Sequence, residues 1–434
     1  MKAFWAPIIA PIFGSSRTVF LWGVFILAFV VRLSIVFYYG NSTSPQMYEH
    51  GEIAHNLYTG HGFTMHWPYE SFDSSRRAIM AVPPEHEGAF LPPMNPYLIY
   101  GAYLIFGETP ASKEILMIFY ALIGALCAPM VYQAALLIGS DRHARMAATV
   151  SALFLPAAYA VVTFSGSVLY HLLGVTILYS AFRLIRNRTV GSALLFGFCC
   201  GLMTMVRSEF FFLGVLLIAS ATIVSWKNIR QHSKEFIAAL VVFVAVVSPW
   251  TIRNYQLFDR FVPVLSHPWY EMWRGNNSHA TGTTHSTDGS SVWVTRQTDS
   301  SLIRQMDAIP YDSYFEPTVD QLFKKEVFEF IFSEPGRFII LGVKKISYLL
   351  TVDFSDASAT NPVNIIFMFS VIVGVSIGVV RLWKSSLIPE RTIITVFIAY
   401  YFAMTLMTVM LARYQIFLFQ ALLPLFLLRA GTDE

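Results

Sequence analysis

Long apolar runs separated by short polar connections dominate the sequence. A run of about 20 apolar residues is long enough to span a bilayer as an α-helix. Such runs predict roughly ten spans, at residues 18–39, 113–139, 146–163, 166–183, 190–206, 210–226, 235–252, 361–382, 392–411 and 415–429. Two apolar stretches, 95–107 and 337–351, are too short to cross comfortably, and we predict surface or re-entrant helices there.

Composition agrees with a polytopic, all-α membrane protein. The chain is 55% hydrophobic and 13% charged, and its mean hydropathy is +0.54. The three cysteines (Cys127, Cys199 and Cys200) all lie inside apolar runs, so they offer no disulfide framework. The small net charge of +3 argues against a nucleic-acid partner.

Basic residues mark alternate connections between the apolar runs, and by the positive-inside rule these connections and both termini face the cytoplasm. The loops 40–94 and 254–336 then face outward. Residues 275–301 are rich in Gly, Ser, Thr and Asn, which predicts a mobile exterior loop. We expect one membrane domain over residues 1–434, without a separate soluble C-terminal domain.

The first exterior loop carries the most informative polar pattern. Glu49, Glu52 and Asn56 share one face of a predicted helix, and Ile53 and Leu57 occupy another. This helix could lie on lipid and direct its acids at a cavity. A transfer to a hydroxyl group needs a base, and a carboxylate suits that role. Glu49 and Glu52 are both candidates, and a solvated helix face is the alternative interpretation.

Cationic residues collect near the outer ends of the predicted spans. They are Arg207, Arg253, Arg413, Lys344 and Lys345. Ionisable residues at membrane depth are costly unless they meet protein, water or a bound charge. Together these five side chains are suited to binding a phosphate headgroup. The alternative is that they snorkel to water and anchor the helix ends.

Other polar residues of the exterior loops are candidate contacts for an acceptor or for the loop itself. They are Tyr48, His50, Asn56, Glu85, His86, Tyr414 and Asn276. The histidines of the first loop raise a metal hypothesis, but their spacing matches no fixed ligand pattern. We expect no cofactor to be required, and a divalent metal is an alternative that we do not favour.

Several motifs, taken in order, resemble GT-C glycosyltransferases of the branch that contains protein O-mannosyltransferase-like and lipid A aminoarabinose transferase-like proteins. They are Glu52-Ile53-Ala54-His55-Asn56-Leu57 with Gly60-His61-Gly62-Phe63, Pro92-Pro93-Met94-Asn95-Pro96-Tyr97, Pro249-Trp250-Thr251-Ile252-Arg253-Asn254-Tyr255, Trp273-Arg274-Gly275-Asn276-Asn277 with Thr281-Gly282, and Arg413-Tyr414. The resemblance implies a family 39-like enzyme that takes a sugar from a polyprenyl-phosphate carrier on the outer face, usually with inversion. Its acceptor would be a lipid, a glycan or a protein.

The sequence departs from that group where its base is expected. The group usually has Asp, or Asp-Glu, just upstream of the first motif, whereas this chain has Pro45-Gln46-Met47-Tyr48-Glu49-His50. Glu49 or Glu52 would have to serve as the base instead.

Two other functional classes share this hydropathy. One is a transporter or lipid flippase, although charges grouped at one face and the lack of an internal repeat disfavour it. The other is an oligosaccharide ligase or polymerase with a pyrophosphate-linked donor. We predict a multi-pass protein of a bacterial inner membrane with an outward-facing active site.

Overall fold

The structure, a computed structural model, describes residues 16–65, 87–224, 229–283, 300–310, 312–352 and 359–428. In these ranges the chain is α-helical, with only isolated β-bridges, so the predicted all-α class is confirmed. The helices are α1 (Arg17–Tyr39), α2 (Tyr48–Tyr58), α3 (Met94–Phe106), α4 (Pro110–Ala125), α5 (Cys127–Leu136), α6 (Asp141–Leu153), α7 (Leu155–Ala158), α8 (Ser167–Asn187), α9 (Val190–Val206), α10 (Phe210–Val224), α11 (Ile229–Phe258), α12 (Pro268–Gly275), α13 (Ser300–Asp307), α14 (Phe315–Ser333), α15 (Pro335–Leu350), α16 (Pro362–Trp383), α17 (Ile388–Met407) and α18 (Ala412–Leu422).

The membrane-spanning set differs from the predicted series of ten. Among the described residues, six helical segments are long and apolar enough to cross by themselves: α1, α4 with α5, α8, most of α11, α16 and α17. The predicted span 146–163 is a pair of helical pieces bent by 53°, because Pro156 interrupts the run. Helices α9 and α10 are shorter apolar helices, and the last predicted span is the 11-residue α18 followed by a 3₁₀ turn.

Small residues bring the bundle helices into close contact. Helix α9 packs along α11 at Gly197, where a Cβ would lie 2.1 Å from the carbonyl oxygen of Ala239. A Cβ on Gly378 of α16 would lie 1.6 Å from the carbonyl oxygen of Leu425. Close backbone approach of this kind is typical of helix packing in membranes.

Ion pairs join the connections that were predicted to face the cytoplasm, at one end of the bundle. Arg17 Nε lies 3.6 Å from Asp141 Oδ1, and Arg186 Nε lies 2.6 Å from Glu390 Oε1. The predicted outer loops meet at the other end, where the backbone N–H of Ser266 donates to the carbonyl of Ala89 at 3.1 Å and that of Phe164 donates to the carbonyl of Gln46 at 3.0 Å.

Helices α2, α3, α12, α14 and α15 form a layer over that second end. Asn95 fixes α3 there, because its Nδ2 donates to the Phe164 carbonyl and its Oδ1 accepts from the Tyr120 hydroxyl, both at 2.7 Å. The predicted loop 254–336 is largely helical where it is described, since it contains α12, α13 and α14. Most of its Gly- and Ser-rich part, residues 284–299, lies outside the described residues.

Candidate active site

Helix α2 holds the two predicted carboxylates at the outer end of the bundle. Glu49 and Glu52 are both half-buried on it. The prediction that its apolar face lies on lipid is wrong for Ile53, which is fully buried in the protein core. Packing of this face against protein holds the helix in one orientation and so positions the acids.

Two predicted contact residues on α2 have different surroundings. Tyr48 is 55% exposed and begins the helix with a left-handed φ of 49°. Asn56 is buried, and its Nδ2 donates to the carbonyl of Thr64 at 2.9 Å. Asn56 therefore fixes the chain after α2, whereas Tyr48 is open to a ligand.

Two of the predicted arginines meet around tyrosine rings. Arg207 follows the end of α9, and Arg413 lies in the first turn of α18. The Arg207 guanidinium carbon lies 5.2 Å from the ring centre of Tyr170 and 4.7 Å from that of Tyr414. The Arg413 guanidinium carbon lies 5.7 Å from the Tyr414 ring. Tyr414 therefore lies between the two cations.

His50 connects the carboxylate helix to these cations. Burial, together with the positive charges of Arg413 and Arg207, lowers the pKa of His50 to about 3. The imidazole is therefore neutral at physiological pH. Its Nδ1 is buried and has no hydrogen-bond partner among the described residues.

Helix α12 adds residues that the sequence did not single out. The pKa of Tyr270 is raised by burial and by the negative charges of Glu271 and Glu49, which outweigh the effect of Arg274. The pKa of Arg274 is raised because Glu271, Tyr270 and Tyr414 outweigh the opposing effect of burial. The charge of Glu49 therefore acts on Tyr270, and the charge of Arg274 is stabilised by Tyr414.

The charges of this site are unequally paired. Arg207 forms an ion pair with Glu209, and Arg274 Nη1 lies 3.3 Å from Glu271 Oε2. Arg413 is exposed, and no carboxylate oxygen of the described residues lies within 4.0 Å of it. Arg413 is therefore the arginine of this group whose charge is available to an anionic ligand.

Arg253 is occupied at a different place. Its Nη2 donates to Glu87 Oε2 and its Nη1 to the Gly88 carbonyl, both at 2.6 Å. Its guanidinium carbon lies 4.6 Å from the ring of Trp250. These contacts attach residues 87–88 to α11. The contacts of Arg253 therefore do not group it with Arg413 as a phosphate ligand.

The predicted lysine pair points in two directions. Lys344 is exposed, whereas Lys345 is fully buried and its Nζ donates to Asn276 Oδ1 and to the Leu406 carbonyl, both at 2.8 Å. Asn276 is buried as well, and its Nδ2 donates to the Met407 carbonyl at 2.7 Å. Neither Lys345 nor Asn276 is placed to touch a ligand directly.

Two buried carboxylates one helical turn apart on α14 hold the outer layer together. Glu316 Oε2 accepts from the backbone N–H of Ala89 at 2.7 Å and from the Ser266 hydroxyl at 2.5 Å. Asp320 Oδ1 accepts from the N–H groups of Trp269 and Tyr270, at 2.9 and 3.1 Å. Asp320 thereby caps the start of α12, which carries Tyr270 and Arg274.

Substituting Asp320 is expected to change how stability depends on pH. Burial raises the pKa of Asp320 to about 7, above its unfolded value, although the two backbone N–H donors oppose the rise. The folded state then binds more protons than the unfolded state between about pH 4 and pH 7, so this carboxyl lowers stability as pH rises through that window.

Asp320→Asn keeps an oxygen that accepts both N–H bonds but cannot ionise. We expect its melting temperature in detergent, relative to wild type, to increase from pH 5 to pH 8. Asp320→Ala serves as the control, because it also cannot ionise but loses the cap, so it should melt below Asp320→Asn at every pH. A difference between Asp320→Asn and wild type that does not change with pH would contradict this assignment.

Glu85 and His86 lie outside the described residues. Within the described ranges, no three His, Cys, Asp or Glu side chains are grouped so that they could hold a metal ion. Sequence reasoning missed Arg274 and Tyr270, although Arg274 stands inside the Trp273-Arg274-Gly275-Asn276-Asn277 motif.

Residues 91–252 match the family model described as dolichyl-phosphate-mannose-protein mannosyltransferase. The matched segment includes Arg207 but neither Glu49 nor Arg413. No curated protein sequence matches the chain significantly.

Solved structures supply the fold comparison. Archaeal oligosaccharyltransferase AglB from Archaeoglobus fulgidus, in complex with an inhibitory peptide and a dolichol-phosphate, is similar with a TM-score of 0.52 and 13% identity, over 94% of this chain and 50% of that one. The apo form of the A. fulgidus oligosaccharyltransferase gives a TM-score of 0.51 and 13% identity, over 94% and 50%. The chain therefore shares the fold of about half of each of these oligosaccharyltransferases.

The predicted GT-C resemblance is thereby confirmed at the level of the fold, and the chain is a multi-pass membrane protein. It spans about half the length of the solved oligosaccharyltransferases. A fold alone does not determine the reaction, which depends on the residues of the site.

Proposed function

We propose that this GT-C protein transfers a sugar from a polyprenyl-phosphate carrier to an acceptor hydroxyl on the extracytoplasmic face, with inversion at the anomeric carbon. What supports the proposal is that Glu49 is adjacent in sequence to His50, and that the pKa of His50 is lowered in part by the charge of Arg413, which has no carboxylate oxygen of the described residues within 4.0 Å. Membrane-spanning helices around this site give an isoprenoid tail an apolar environment.

The charges fit a donor with a single phosphate. A phosphodiester-linked sugar carries one negative charge, and the released carrier phosphate carries up to two. During transfer, Glu49 takes the proton of the acceptor hydroxyl and the hydroxyl oxygen bonds to the anomeric carbon. The bond from that carbon to the phosphate oxygen breaks with its electron pair. Negative charge thus moves from Glu49 to the phosphate, where Arg413 stabilises it.

A pyrophosphate-linked donor would bring one more negative charge to the site. Arg207 and Arg274 are each already paired with a carboxylate. One unpaired arginine therefore favours the monophosphate donor over the ligase or polymerase alternative. The fold relative AglB was solved with a dolichol-phosphate, which supports a lipid-linked carrier of this class.

The test compares donors that differ only in the number of phosphates. Purified protein is given matched polyprenyl-monophosphate and polyprenyl-diphosphate sugars from a panel of hexoses and pentoses, and carrier release is measured by mass spectrometry. Slow transfer to water removes the need to know the acceptor. We expect release from monophosphate donors. Release from diphosphate donors alone, or uptake by proteoliposomes without release, would contradict the proposal.

A further inference from the structure

A fully buried lysine lies behind the arginine site. Lys345 on α15 donates its Nζ hydrogens to Asn276 Oδ1 and to the Leu406 carbonyl, each at 2.8 Å. Among the described residues, no carboxylate oxygen lies within 4.0 Å of this Nζ. Burial lowers the pKa of Lys345 to about 7. Keeping an ammonium group in such a place is costly, so it calls for an explanation beyond packing.

The lysine lies where two chain segments are joined. Leu406 and Met407 end α17, and their carbonyls lack partners within the helix. Lys345 satisfies the first carbonyl, and Nδ2 of Asn276 satisfies the second at 2.7 Å. A cation at a helix C-terminus is also favoured by the helix dipole.

Backbone contacts continue this junction on both sides. A Cβ on Gly275 would lie 2.5 Å from the carbonyl oxygen of Thr408, so the end of α12 rests directly on the chain after α17. The backbone N–H of Met410 donates to the Gly282 carbonyl at 2.9 Å. The segment that follows α12 is thus fastened to the segment that precedes α18.

Each joined segment carries an arginine of the site. Arg274 stands immediately before Gly275, and Arg413 follows Met410 by three residues. These tethers are short, so a shift at the junction moves both guanidinium groups relative to each other. Misplacement of an active-site group by about 1 Å can cost about 10²-fold in rate.

We propose that Lys345 is a positioning residue: through Asn276 and the last carbonyls of α17 it holds Arg413 against Arg274 in the geometry that binds the carrier phosphate. The proposal rests on the proposed function, because the phosphate is the ligand whose binding it controls. Lys345 acts only through other residues and does not touch the substrate.

A double-mutant cycle tests this mechanism. The probe is farnesyl phosphate, a short isoprenoid monophosphate, and its Kd is measured by titration calorimetry in detergent for wild type, Lys345→Met, Arg413→Ala and the double variant. We expect each single change to raise Kd by about tenfold or more. The double variant should bind no more weakly than Arg413→Ala, because Lys345 acts through Arg413.

Lys325→Met is the matched control. It also removes one lysine charge, but from an exposed position on α14, 3.6 Å from Glu329, and its Kd should equal that of wild type. Should Lys345→Met not give monodisperse protein, Asn276→Ala enters the same cycle, because it removes the bonds of Asn276 to Lys345 and to the Met407 carbonyl and leaves Lys345 bonded to Leu406.

The outcomes separate this proposal from the proposed function. Additive effects in the cycle, or wild-type binding by Lys345→Met while Arg413→Ala binds weakly, overturn the positioning role alone. Wild-type binding by Arg413→Ala overturns both the positioning role and the phosphate site.

Discussion

Glu49→Gln is expected to lower kcat for sugar transfer by a factor of about 10³, within the range that a general base contributes. The amide keeps the size of the side chain but cannot accept the acceptor proton. Because Glu49 acts on the proton rather than on the carrier, the Kd for farnesyl phosphate should change little. The measurement is single-turnover transfer from a polyprenyl-monophosphate sugar at saturating acceptor, together with that Kd.

Glu52→Gln is the matched control for the base. Glu52 lies three residues further along α2, also half-buried, but Glu49 is the carboxylate whose charge acts on Tyr270 in the site. We expect a loss below about tenfold for Glu52→Gln, in line with a group that does not transfer a proton. A thousandfold loss for Glu52→Gln, with Glu49→Gln active, would assign the base to Glu52.

His50 is the other residue of α2 that could act as a base, and its electrostatics argue against that role. With a pKa of about 3, set by burial and by Arg413 and Arg207, the imidazole holds a proton too weakly to take one from a hydroxyl at neutral pH. The same low pKa suits it as a neutral group beside a phosphate, because it can donate a hydrogen bond without changing charge.

The sequence predicted the parts of this site that lie within one short segment. Spacing on a helix placed Glu49 and Glu52 together, and span ends placed Arg207 and Arg413 at one face, because both follow from local periodicity and hydropathy. The sequence could not show which of Lys344 and Lys345 is buried. Adjacent residues of a helix differ by about 100° in direction, and which of them is buried depends on where α17 ends.

The sequence also could not predict contacts between residues that lie far apart along the chain. Arg253 was grouped with the phosphate ligands because it ends an apolar run, yet its partners Glu87 and Gly88 are 166 and 165 residues away in sequence. The boundaries of the predicted spans differ from those of the helices for a related reason. Apolar length alone does not show where Pro156 bends a run, or that α18 ends after 11 residues.

Arg413→Ala is expected to lower kcat for transfer by about 10²–10³, the cost of removing one preorganised charge from a developing anion. Arg413 is the site arginine without a carboxylate within 4.0 Å among the described residues, so no neighbouring cation is free to replace it. Since the leaving phosphate gains negative charge during transfer, binding of released carrier phosphate should weaken more than binding of the intact donor.

Two further variants separate geometry from charge at this position. Arg413→Lys keeps the charge but loses the planar fork that binds two phosphate oxygens, so its kcat should fall between those of wild type and Arg413→Ala. Arg260→Ala removes an exposed arginine, 5.9 Å from the Tyr314 ring, and should leave transfer unchanged. Binding of the donor and binding of the released phosphate could instead weaken equally in Arg413→Ala. Arg413 would then only hold the carrier. The charge that develops in the transition state would have to be stabilised by Arg207 or Arg274, despite their carboxylate partners.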